Sequence, residues 1–420
     1  MSIFTHIKER PLLSIFILAI SVRLLLLLLF PLPDYSGGDF PLYQRIADAI
    51  VTEGNLGGEP QKTYGSPSIN PGWAFVLAGL TFLFGASQNV LLIFSVLLGG
   101  VLAVGVYLLS MFFFNRKISF LAGLTTALWP AFLIQTFIYT DSLLFYTVLL
   151  VWSTFFFVKA VLEGSSWGVA VSGFLLGFAI LVDSIAFFIP LVFLVWLFLE
   201  RPSFRSLGLS ALFLGVCFLV IVPWMYRNIS IAEELGLGSA PAISKDELRL
   251  ISPSKLLTIS RLVAKEGVLI SGLSQTFLFP FNISILDQGT NVYYKDTLVH
   301  LLHGDQQELS RREAIIMGLK IAITALHWAV LILSIVSLFL IHEKQTRRFL
   351  LFALLLLLYV VAGSIGFGSL WGNDFKGISA LSSFLFPLIP LFIVAASFSL
   401  FSLIVQWEKK NGKNIEKITV

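Results

Sequence analysis

Three acids in this chain stand where a bilayer surface would let them do chemistry. Asp39, in Gly37-Gly38-Asp39-Phe40-Pro41-Leu42-Tyr43-Gln44-Arg45, directly follows a long apolar run. Asp141, in Tyr139-Thr140-Asp141-Ser142, and Asp183, in Leu181-Val182-Asp183-Ser184, each fall between two apolar runs. A carboxylate held at the lip of a membrane can take a proton from an attacking hydroxyl or amine, the work of a general base. Asp141 and Asp183 fit equally well as plain caps for the spans that follow them. The glycine-opened turn around Asp39 is the more specific setting.

The cations that could accompany such a base are few. Arg227 lies in Pro223-Trp224-Met225-Tyr226-Arg227-Asn228, Lys62 precedes Tyr64-Gly65-Ser66-Pro67, and Lys376 sits in Asp374-Phe375-Lys376. A guanidinium grips phosphate oxygens through paired, charge-assisted hydrogen bonds, so a phosphate clamp is one reading of Arg227. An interfacial anchor is the other reading of Trp224 and Arg227. His300, His303 and His327 have no spacing that makes a ligand set, so no metal site is assigned to them and a divalent ion stays an open possibility.

These residues need elements to hold them. Of 420 residues, 57% are hydrophobic and 12% charged, with a mean hydropathy of +0.91. Soluble domains carry roughly 25% charged residues; the chain is therefore expected to be an all-α, polytopic membrane protein. A β-barrel would show short alternating segments, and these runs are long and continuous. The first run is too long for a cleavable signal and no small-residue cleavage site follows it. The single cysteine, Cys217, lies in an apolar run and rules out an intrachain disulfide.

About ten runs are long enough to span, at about 20 residues each. They fall near 11–33, 89–113, 118–138, 142–162, 167–183, 184–200, 206–224, 314–341, 348–366 and 378–406. The run 71–86 is marginal in length and is expected to lie along, or dip into, the outer leaflet. With that topology the clusters Lys8/Arg10, Arg116/Lys117, Arg201/Arg205, Lys344/Arg347/Arg348 and Lys409/Lys410 share one side. The positive-inside rule makes that side, and both termini, cytoplasmic. Two long polar connections, 34–88 and 225–313, then face outward with most of the acids.

Three regions follow: a membrane module over 1–224 with the first outer loop at 34–88, an outer cap over 225–313, and membrane helices with a basic tail over 314–420. Within the cap, Ser244 and Glu247 match a capping box, and 255–266 and 268–280 suit short amphipathic or interfacial helices.

Over roughly residues 8–230 the order of features resembles the polyprenyl-phosphate-dependent glycosyltransferases of the GT-C class, in particular their protein-mannosyltransferase-like and aminoarabinose-transferase-like bacterial members. The resemblance rests on Gly38-Asp39 with Tyr43 and Ala47, on Pro67 and Asn70-Pro71 before an apolar segment ending Phe84-Gly85, and on Trp129-Pro130. It continues through Thr140-Asp141-Ser142, Gly173 and Gly177 before Ala179-Ile180-Leu181, and Pro223-Trp224 with Arg227-Asn228. Relatives often carry Asp-Glu at the first turn, where this chain has Asp39-Phe40, and Arg or Lys where Asp183 stands.

The resemblance implies a multi-pass enzyme of a bacterial inner (plasma) membrane, working on the extracytoplasmic face. The donor it implies is a sugar on a polyprenyl phosphate, transferred with inversion to a protein, lipid or glycan acceptor. Asp39 would be the catalytic base; Arg227, Lys62 and Lys376 would hold donor phosphate; Tyr43, Tyr64, Asp141, Asp183 and Trp224 are the other site candidates. It implies no nucleic-acid partner. Two other readings stay open. Arg23 and Lys320 fall inside spans, and intramembrane charges often mark transport paths, which suits a secondary transporter or lipid flippase; both cations can instead snorkel or pair with acids. A non-catalytic assembly subunit would need neither Asp39 nor the outer cluster.

Overall fold

The computed structural model describes residues 10–29, 40–54, 70–85, 87–137, 142–232, 234–235, 243–244, 311–337, 339–340, 348–349, 351, 353 and 388–410. Twelve helices are described: α1 (Pro11–Leu29), α2 (Phe40–Glu53), α3 (Pro71–Phe84), α4 (Gln88–Ser110), α5 (Arg116–Leu128), α6 (Pro130–Phe137), α7 (Leu143–Glu163), α8 (Ser166–Val182), α9 (Ile189–Glu200), α10 (Phe204–Ala232), α11 (Arg311–Ser337) and α12 (Ile389–Lys410). A 3-10 turn, Ser184–Phe188, joins α8 to α9. A two-residue antiparallel ladder pairs Glu234 with Ser244 and Leu235 with Ile243. Apart from that ladder, the regular structure described is helical.

Polar punctuation in apolar sequence sets the helix ends. Ser87 accepts the Val90 N–H at 3.3 Å to start α4. Asn115 accepts the N–H groups of Lys117 and Ile118 at 3.1 and 3.0 Å to start α5. Each of these caps takes donors that the first helical turn leaves orphaned. Gly164 closes α7 at φ 76°, a left-handed conformation that glycine adopts without steric cost. The carbonyls left there receive Arg201 Nη2 at Leu162 (2.6 Å) and Arg205 Nη2 at Gly164 (2.8 Å). Cations at a helix C-terminus also complement the helix dipole.

Side-chain contacts give the helices their relative direction. In α7 and α8, Ser153 and Ser172 bond at 3.1 Å, and a Cβ on Gly168 would meet Ala160 at 2.8 Å, so the pair is an antiparallel hairpin. In α8 and α10 the register runs the same way. A Cβ on Gly173 would sit 2.6 Å from the Phe213 carbonyl oxygen, and one on Gly177 2.8 Å from that of Cys217. Four residues along one helix match four along the other: α8 and α10 are parallel and backbone-close, the small-residue packing that membrane helices use in place of hydrophobic drive. By the same reasoning α1 runs antiparallel to α4, with Arg23 against Gly99 and Phe16 against Gly100. Finally α4 runs parallel to α7, with Trp152 Nε1 on the Val101 carbonyl at 3.2 Å and Phe94 6.0 Å from Phe145.

Five of the described helices are long and apolar enough to cross a membrane, and the α5–α6 pair makes a sixth if counted as one bent span. The chain is an integral, multi-pass membrane protein. Several expected runs take a different form. The run 118–138 breaks at Trp129-Pro130 with a 44° bend, because Pro130 lacks the N–H a continuing helix needs. The run 184–200 opens as a 3-10 turn before α9, with Pro190 in its first turn. The run 206–224 continues through Pro223 to Ala232. The count of ten spans rests in part on 348–366 and 378–387, which lie almost wholly outside the described residues. So do residues 245–247 and the segments 255–266 and 268–280; Ser244 itself belongs to the short ladder.

Candidate active site

The registers above bring one set of helix ends together. The C-terminus of α1, the N-termini of α4 and α7, and the C-termini of α8 and α10 all lie at the same end of the array. At α8–α10 the offset of 40 residues between paired positions sets Val222 level with Val182, the last residue of α8, so Trp224 lies just past that end of α8.

Across this end lies α2. Its Phe40, Tyr43, Ala47 and Ile50 recur at helical spacing and pack on Trp73, Leu77 and Ala78 of α3. The cluster continues into Leu91, Phe94 and Phe145, with Trp73 6.0 Å from Phe145 and Phe145 6.0 Å from Phe178. Tyr43 is thus half-buried in the contact of α2 with α3. The residue that α2 follows directly is Asp39, which lies outside the described residues, as do Lys62, Tyr64, Asp141 and Lys376.

The helix expected to lie along one leaflet, α3, has 14 residues. It spans about 21 Å at about 1.5 Å per residue, short of a bilayer core. Its N-terminal half is buried and Phe82, Leu83 and Phe84 at its other end are exposed. Gly72 presses on the end of α8: a Cβ there would be 2.6 Å from the Val182 nitrogen. Asp183 is the next residue, half-buried, ending α8 with its N–H on the Ala179 carbonyl (2.8 Å). Its own carbonyl accepts the Ala186 N–H at 3.1 Å, so it joins α8 to the 3-10 turn. At the start of α7 the Ser142 side chain makes no capping bond.

Trp224 and Arg227 form one unit. The guanidinium carbon lies 4.6 Å from the Trp224 ring centroid, and Arg227 Nη1 donates to Asn228 Oδ1 at 3.2 Å. Trp224 is 7% exposed, whereas Tyr226 is 73% exposed. An interfacial anchor directs its ring outward; here Tyr226 is the ring turned outward and Trp224 faces inward as a platform for the cation.

A cleft of about 210 Å³ opens between α2, the far half of α3 and the start of α4. Phe40, Ala47, Leu77 and Leu91 line it, with Gln44, Thr81, Ser87 and Gln88 supplying polar groups. Gln44 lies inside the Gly37–Arg45 motif, five residues from Asp39, yet the sequence reading gave it no role. Helical spacing from Phe40 and Ala47 was the available signal. Among the described residues no group of three or more His, Cys, Asp or Glu could hold a metal ion. His327 is buried in α11, its ring 6.4 Å from that of Trp129.

Residues 66–226 match a family model described as dolichyl-phosphate-mannose-protein mannosyltransferase. Among solved structures, the Archaeoglobus fulgidus oligosaccharyltransferase in its apo form aligns with 96% of this chain and 52% of its own, at 14% identity and a TM-score of 0.57. The same organism's oligosaccharyltransferase AglB, in complex with an inhibitory peptide and a dolichol-phosphate, aligns with 97% and 53% at 17% identity and 0.54. Its complex with Zn and sulfate aligns with 95% and 50% at 15% identity and 0.56. These likenesses are of fold, and the chain spans about half the length of the structures it matches. No curated protein matches the sequence.

Proposed function

From its likeness to the GT-C class of polyprenyl-phosphate-dependent membrane glycosyltransferases, carried by the family match over 66–226 and by the fold, we propose that this chain is such a transferase. It moves a sugar from a polyprenyl-phosphate donor to an acceptor at the extracytoplasmic face. The observation that carries the reading is the shared end of the helix array: α1, which leads to Asp39, finishes there, beside Asp183 and the Trp224–Arg227 pair. The mannosyltransferase description of the matching family and the dolichol-phosphate bound by AglB agree with a lipid-phosphate donor. The acceptor peptide tethered in a further A. fulgidus structure agrees with a protein acceptor.

The donor's isoprenoid tail is retained by the bilayer at about 0.8 kcal/mol per buried CH₂, leaving the protein to hold the head group. Asp39 removes the proton from an acceptor hydroxyl or amine as that atom attacks the anomeric carbon. The bond from that carbon to the phosphate oxygen breaks, and its electron pair leaves on the polyprenyl phosphate. Attack opposite the leaving group inverts the centre. Arg227, Lys62 and Lys376 offset the charge that grows on the phosphate, and a base in this position contributes about 10²–10⁴ in rate.

A bound divalent ion would supply further charge at the phosphate. The zinc in the A. fulgidus complex belongs to that protein. Of the two charges that favoured a transporter, Arg23 has another use here, because it is taken up by a break in the helical array. The test is Asp39→Asn in membranes supplied with labelled polyprenyl-phosphosugars: transfer should fall by two or more orders of magnitude at equal protein level, and unchanged transfer removes the base.

A further inference from the structure

Arg23 is the thirteenth of the 19 residues of α1 and is 1% exposed. An arginine at the centre of a membrane helix costs roughly 2.5–3.5 kcal/mol on insertion scales, a cost that hydrogen-bonding partners offset. Among the described residues it neither snorkels nor meets a carboxylate. Its Nη1 donates to the Ala127 carbonyl at 3.1 Å and to the Ala19 carbonyl of its own helix at 2.9 Å. Its Nε donates to Thr136 Oγ1 at 3.1 Å.

Ala127 is in the last turn of α5 and Thr136 is in α6, so the guanidinium bridges the 44° break between them. The chemistry of the break explains the bridge. In a continuous helix the Thr126 carbonyl would take the N–H of residue 130, which is proline and has none; it takes Trp129 N–H at 3.3 Å instead. The Ala127 carbonyl would take the N–H of Ala131; at the break it takes Arg23. Leaving such a carbonyl without a donor in a bilayer costs several kcal/mol, and a cation there also complements the α5 dipole. Gly99 of α4 makes the room, since a Cβ on it would overlap the guanidinium.

We propose that Arg23 is a positioning residue for the transfer reaction: it locks the α5–α6 bend and so aims α6 toward the outer end of the array, where the chain goes on to Asp141. The consequence for catalysis rests on the function proposed above; the geometric consequence does not. Eight residues of α6 extend about 12 Å at about 1.5 Å each. Swinging them through the bend moves the far end by about 8 Å, ample to misplace a site candidate such as Asp141.

The test uses the full chain in a Cys217→Ala background with spin labels at Ile93 and Ile134. Arg23→Met should broaden that distance distribution and shift it by several ångströms, and should lower kcat tenfold or more with the donor KM within about twofold. Adding Pro130→Ala lets α5 run on into α6. In that double variant thermal stability should recover while kcat stays low. Recovery of both would mean that Arg23 merely holds the fold together, and would overturn the proposal. An unshifted distance in Arg23→Met overturns it as well. If Arg23→Met is not recovered from membranes, Thr136→Val, which keeps the cation and its Ala127 bond, should give a smaller shift in the same direction, and no shift there also sinks it. Wild type without transfer activity but with the expected distance shifts would refute the proposed function while leaving the bend lock standing.

Discussion

Gly173→Ala should leave the protein less stable than Gly215→Ala, although each adds one methyl to one of two neighbouring helices. A methyl on Gly173 would lie 2.6 Å from the Phe213 carbonyl oxygen, a backbone atom that cannot swing aside. Ordinary contact needs roughly 3.4 Å, so α8 and α10 must separate by about 0.8 Å or distort, at a cost on the order of 1–3 kcal/mol. At Gly215, on the outward face of α10, nothing lies within 4 Å of the same methyl. Both changes gain about 1 kcal/mol of helix propensity, so that contribution cancels in the comparison. The difference between the two variants is then the packing penalty alone, about 1–3 kcal/mol. Reversible unfolding of each variant in mixed micelles measures it. Equal stabilities would show that α8 and α10 are not backbone-close, and the argument that sets Trp224 just past the end of α8 would go with them.

Ser153→Ala should weaken the α7–α8 hairpin by about 0.6 kcal/mol, and adding Ser172→Ala should cost less than the sum, because their hydroxyls bond to each other and to each other's backbone; a double-mutant cycle in the same unfolding assay reads this. Arg227→Lys keeps the charge but loses the flat contact with Trp224, about 0.5–2 kcal/mol, and should raise the donor KM by a few-fold in steady-state transfer, whereas an unchanged KM would remove Arg227 from the donor site. Glu200→Gln breaks the 2.8 Å ion pair with Arg348; that pair is partly exposed, so the loss should be about 1 kcal/mol or less, seen as a small fall in thermal midpoint with transfer intact.

The long apolar helices were legible because hydropathy and capping residues agree: 89–113, 142–162 and 167–183 appear as Gln88–Ser110, Leu143–Glu163 and Ser166–Val182. The break at Trp129-Pro130 was not, since apolar residues continue on both sides and only the missing proline N–H marks it. Nor was the extent of α10, where Arg227 and Asn228 read as the end of a span although the helix runs on to Ala232. Arg23 shows why spacing alone falls short in a membrane protein: its partners at Ala127 and Thr136 are more than a hundred residues away. Tyr43 was named for its place in a motif and Gln44 beside it was passed over; which of them faces α3 and which the cleft depends on how α2 lies across the helix ends, and that is decided by tertiary packing.

Chemical fate of the donor lipid separates a transferase from anything that merely binds or moves it. With purified full-length chain in liposomes holding a labelled polyprenyl-phosphosugar and an acceptor, each sugar transferred should release one molecule of polyprenyl phosphate, and Asp39→Asn should bind donor without releasing it. Donor recovered intact after it has crossed the bilayer, or cleaved equally well by Asp39→Asn, would contradict the account.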